Sequence, residues 1–100
     1  MNVYEKKRQY VKMVSKVFSV LKDVGGIVYA HMYATGKEYV RIKDAYGNAT
    51  FLDVTGHDFE QILIDVLLVS VGQKPENIIK SKEVRKLVED YFREKGWHYD

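Results

Sequence analysis

The stretch 27-IVYAHMYATGKEYVRIKDAYGNATFLDV-54 decides the fold. Three runs rich in β-branched and aromatic residues, 27–34, 38–45 and 49–54, are separated by Thr35-Gly36-Lys37 and Tyr46-Gly47-Asn48. Glycine supplies the positive φ that tight turns between neighbouring strands need. The pattern therefore predicts two successive hairpins, a three-stranded antiparallel β-meander.

Successive side chains of a strand point to opposite faces, and the parity of each loop decides which sets meet. With odd-numbered loops, Val28, Ala30, Met32, Val40, Ile42, Leu52 and Val54 share an apolar face. The other face then carries Tyr29, His31, Tyr33, Tyr39, Arg41, Lys43 and Phe51, with Asp53 opposite Arg41. A two-residue loop at Gly36-Lys37 would mix the two sets, and the segregated register is the expectation. Rings interleaved with cations on an open sheet suit single-stranded nucleic acid, because bases stack on rings while cations follow phosphates. The competing reading lays a helix over this face and makes the tyrosines core, with their hydroxyls at the rim.

Working outward from the meander, helical periods flank it on both sides. Over residues 4–24, Tyr10, Val14, Val17, Phe18 and Leu21 recur at three- and four-residue steps, and Val11, Met13 and Val20 widen the stripe. Arg8, Lys12 and Lys16 stack at i, i+4 on the opposite side, with Lys6 and Lys7 nearby. Gly25-Gly26 is the expected helix stop. After the meander, Thr55 and Asp58 fit a capping box opening a helix over 58–71. That helix is apolar almost all round, its polar strip being chiefly Gln61 and Asp65, so most of its sides need covering by the domain or by another subunit. A loop through Gly72-Gln73-Lys74-Pro75 follows, and Pro75 fits the start of a short turn reaching Ile79. Ser81 then caps a last helix over 82–95, with Val84, Leu87, Val88, Tyr91 and Phe92 as its stripe and Arg85, Glu89 and Arg93 outside. Gly96 ends it and Trp97 folds back as an anchor. The fold class is thus α+β in the order α-β-β-β-α-α, as one domain over 1–100.

Composition narrows the function. The chain has 100 residues, 46% hydrophobic, and no cysteine, which excludes a disulfide framework and a Cys-based zinc site. No apolar run is long enough to span a bilayer, and the N-terminus lacks a signal-peptide h-region, so an intracellular, cytoplasmic protein without a membrane partner is expected. The formal net charge of +2 conceals an uneven distribution. Residues 1–22 hold six bases against Glu5, whereas residues 55–79 hold Lys74 against four acids. The basic stripe of the first helix is a candidate for phosphate contact, or else the solvated side of an amphipathic helix.

No catalytic motif is present: the Gly-x-Gly-x-x-Gly, Walker and Gly-x-Ser-x-Gly spacings are absent. His31, His57 and His98 lack ligand-like partners at i, i+4, so no metal or cofactor is expected. Asp53, His57 and Asp58 gather at the strand-to-helix turn. A general base there competes with a purely structural turn, and no nucleophile or second acid stands nearby.

The order α-β-β-β-α over roughly residues 4–71 resembles the double-stranded-RNA-binding domain. That family presents lysines at the start of its second helix, whereas Gly56-His57-Asp58-Phe59-Glu60 brings acids, so no residue carries over. A small, cysteine-free chain rich in Lys, Tyr, Val and Ile also resembles, in composition, the orphan accessory proteins of viruses and plasmids, archaeal ones included.

Two functions follow as expectations. The first is a non-catalytic binding or regulatory protein that contacts nucleic acid through Arg8, Lys12 and Lys16 and the sheet face Tyr29, His31, Tyr33, Tyr39, Arg41, Lys43 and Phe51. The second is a homo-oligomeric protein-interaction module, such as an inhibitor of a host factor, using helix 58–71 or the tyrosine face. An enzyme centred on His57 ranks behind both.

Overall fold

The computed structural model describes residues 2–21, 24–44 and 46–95. Helix α1 (Val3–Leu21) leads into strands β1 (Val24–Met32), β2 (Lys37–Asp44) and β3 (Ala49–Asp53), followed by helices α2 (Phe59–Ser70) and α3 (Lys82–Glu94). The strands form one antiparallel sheet in the order β1-β2-β3, the expected α+β meander. The expected stop at Gly96, the fold-back of Trp97 and His98 lie outside the described residues.

The sheet is covered on both faces. Val11, Val14 and Phe18 of α1 and Ile62 and Val66 of α2 share one cluster with Ile27, Tyr29, Val40, Ile42, Leu52 and Val54. On the opposite face, Val88 and Phe92 of α3 pack with Ala30, Tyr39 and Phe51. The segment before α3 joins the sheet as well: Ile78 bridges to Leu52, and the Ile79 N–H donates to the Phe51 carbonyl at 2.9 Å.

This double cover overturns the expected register of β1. Met32 pairs with Lys37, which leaves the four residues 33–36 in the first loop, an even number. Tyr29 therefore faces Val40 and joins the α1 side together with His31, while Val28, Ala30 and Met32 share the α3 side with Tyr39, Arg41 and Phe51. The second loop is odd as expected, with Lys43 paired to Ala49, but Arg41 faces Phe51 and Asp53 faces Tyr39. The physical reason is that a sheet buried on both sides gains nothing by gathering its apolar residues on one. The loop itself is closed at Gly36, whose φ of 74° and N–H bond to the Met32 carbonyl at 2.8 Å complete a turn few other residues accept.

Two boundaries also move. α1 is finished by Leu21, and Gly26 lies within β1, where the register shifts between Val24 and Gly26. The glycine pair thus marks a β-bulge in place of the expected helix stop. At α2 the N-cap is Asp58 and the capping partner is Gln61: Asp58 Oδ1 accepts the Gln61 N–H at 2.9 Å and Gln61 Oε1 accepts the Asp58 N–H at 3.1 Å. Thr55 cannot fill that role because Gly56 intervenes at φ 79°, outside helical space, and a short Asp side chain lacks the reach of Gln or Glu at the third position. Ser81 caps α3 as expected, accepting the Val84 N–H.

Candidate functional site

The register disperses the residues expected to form one face. Tyr29 and His31 are buried beneath α1, and Tyr39 and Phe51 are buried beneath α3. Arg41 reaches Glu89 of α3 at 2.9 Å and lies over the Phe51 ring, its guanidinium carbon 5.9 Å from the centroid. Lys43 is half-buried on the same strand. Tyr33 is exposed in the first loop, and Lys12 and Lys16 are exposed on α1, where Arg8 lies 3.5 Å from Glu5. The open aromatic and basic sheet face is therefore replaced by a sheet sealed between helices, with the cations of α1 on a separate surface.

One end of the sheet concentrates polar groups. Glu38 is 4% exposed and accepts three donors: Lys7 Nζ and the Tyr29 hydroxyl, both at 2.7 Å, and the Gly56 N–H at 2.8 Å. Burial alone would raise its pKa, but the bonds from Lys7, Tyr29 and Gly56 outweigh it and hold the carboxyl below its ordinary value. Burial, followed by the neighbouring Glu38, holds the Tyr29 hydroxyl protonated far above the ordinary phenol range. Alongside, His31 stacks on Tyr4 with centroids 3.5 Å apart and planes 6° from parallel.

A second polar set fastens the turn before α2. His57 Nδ1 lies 3.0 Å from Asp65 Oδ2, and Asn77 Nδ2 donates to the same oxygen and to the Asp53 carbonyl, each at 2.9 Å. Asp65, expected on the solvent strip of α2, is instead buried. Such a pair orients a histidine, which is one requirement of a general base. Here, however, Asp53 accepts from Thr55 at 2.6 Å, and Asn77 ties residues 77–79 to β3, so the neighbouring groups are engaged in holding loops together. Among the described residues there is no group of three or more His, Asp or Glu that could hold a metal ion.

What the structure brings together instead is apolar surface. On α1, Val11, Val14 and Phe18 are buried, while Met13, Val17, Val20 and Leu21 are 57%, 46%, 82% and 70% exposed. The exposed four recur at i, i+4, i+7 and i+8, a second stripe about a third of a turn from the first. On α2, Ile62 and Val66 face the core, whereas Ile64, Leu67 and Val71, the last at the C-cap, are 46%, 39% and 55% exposed. The helices touch where the Tyr10 and Phe59 rings meet edge to face, centroids 5.2 Å apart. From that contact, steps of three and four residues lead along α1 to Met13 and Val17 and along α2 to Leu63 and Leu67. The two exposed stripes thus lie on the two helices that meet at this α1–α2 seam. Sequence periodicity contained this signal, since both stripes are wider than one buried face requires.

No described helix is long and apolar enough to cross a membrane. No family model matches the chain, and neither a curated protein nor a solved structure matches it.

Proposed function

We propose that the chain is a non-catalytic protein-interaction module that self-associates through the outer surface of α1 and α2. The observation that carries this reading is the set of seven apolar side chains, Met13, Val17, Val20, Leu21, Ile64, Leu67 and Val71, left exposed on the two helices that meet at the Tyr10–Phe59 contact. Scattered exposed apolar residues are ordinary, but residues that recur at helical spacing on two adjacent helices form a patch of the kind that marks protein contacts. Helix-in-groove recognition uses this same i, i+3, i+4, i+7 spacing. A second surface, Val84 and Leu87 on α3, is smaller and serves as an internal control.

The test is light scattering on Val17→Glu and Leu67→Glu beside Leu87→Glu. Burying a new carboxylate in the seam costs association at least tenfold, about 1.4 kcal/mol, so the first two variants become monomeric while the third stays associated. If all three behave alike, the seam is not the contact.

The exposed Lys12 and Lys16 favour a second reading, in which α1 contacts phosphates of a nucleic acid. Binding of single-stranded or duplex nucleic acid would then fall steeply with salt and fall further in Lys12→Ala/Lys16→Ala. An absence of binding at low salt removes this reading.

A further inference from the structure

Resting on the self-association reading, we propose that α1 of each subunit docks on α2 of the other, across a two-fold axis that lies along the α1–α2 seam. Both helices cover the same face of the sheet, so both exposed stripes belong to one surface. A second copy applied to that surface by a two-fold operation has two choices. It sets like helix on like helix, or it sets each helix on the other kind.

Charge decides between them. Outside the core, α1 carries Lys6, Arg8, Lys12 and Lys16 against Glu5, its remaining base, Lys7, being buried on Glu38. The charges exposed at α2 are Asp58 at the N-cap and Glu60 in the first turn. Asp65 is buried against His57, and residues 59–70 include no base. An α1-on-α1 contact brings two mainly basic helices together, and an α2-on-α2 contact brings two acidic ones together. The crossed arrangement sets α1, whose exposed charges are mainly basic, on α2, whose exposed charges are acidic, twice over by symmetry, with Met13, Val17 and Val20 meeting Ile64, Leu67 and Val71. Apolar area supplies the attraction, and the charge rim selects which helices meet.

The chain has no cysteine, so introduced thiols report on this geometry alone. Val17→Cys and Leu67→Cys are prepared separately, the second bearing a tag of different mass, and treated with a short bismaleimide alone and mixed. The crossed arrangement gives a mixed Val17→Cys/Leu67→Cys product at least fivefold in excess of either self-linked product. Sedimentation at rising salt then shows weaker association, because attraction between unlike rims is screened. A dominant self-linked Val17→Cys product, or association that strengthens with salt, overturns the crossed arrangement while leaving self-association intact. A wild-type chain that stays monomeric removes both.

Discussion

Glu38 ties α1, β1 and the turn before α2 to β2, and its chemistry is testable by pH. A buried carboxylate is tolerated only when paired, and Lys7, Tyr29 and the Gly56 N–H supply the pairing. Replacing Glu38 by Gln leaves the Lys7 ammonium buried without a counter-charge, an expected loss of about 3–5 kcal/mol in urea unfolding. Because the folded carboxyl titrates below its ordinary value of 4.5, its contribution is complete above that value and disappears as the pH falls through the folded pKa. Thermal melts of the wild type should therefore drop below pH 4.5, and melts of Glu38→Gln should drop less steeply. The tyrosines act at the other end of the scale. Burial raises the pKa of Tyr29, Tyr39 and Tyr91 above 10.0, so their share of the stability is present below that pH and is lost as the pH rises beyond it. Tyr29→Phe removes the bond to Glu38 and costs about 1 kcal/mol at neutral pH.

At the scale of elements, α3 and the first hairpin loop carry the two findings that sequence periodicity alone left open. If α3 closes the second face of the sheet, Phe92→Ala leaves a cavity against Ala30, Tyr39 and Phe51 and costs about 3–5 kcal/mol. Leu87→Ala, on the outer side of the same helix, changes the urea midpoint by less than a quarter as much. Gly36→Ala meets no atom within 4 Å, so any loss there is backbone strain, about 1–2 kcal/mol. The existence and order of all six elements were legible in the sequence because glycine turns and helical periods are local signals. The pairing of β1 with β2 was not, since parity depends on whether the loop holds three residues or four, and the residues 33–36 allow either. Lys7 and Asp65 were hidden for another reason: each occupies a core position in an otherwise apolar stripe, and its partner is distant in sequence, 31 residues away for Lys7 and 8 to 12 for Asp65.

For the whole molecule, the sheet is enclosed between α3 on one face and α1 with α2 on the other, and among the described residues α1 and α2 carry more exposed apolar side chains than α3. The breadth of apolar sequence on helix 58–71 already required more cover than one sheet face provides, and the structure locates the uncovered part at Ile64, Leu67 and Val71. The residues expected to share one sheet face are divided between its two sides, whereas the exposed apolar residues of α1 and α2 lie on two helices far apart in the chain. Sedimentation equilibrium of the wild-type chain from micromolar to millimolar concentration tests this account most directly. It predicts a concentration-dependent rise from 11.7 kDa towards twice that mass, and a single species at 11.7 kDa throughout the range would contradict it.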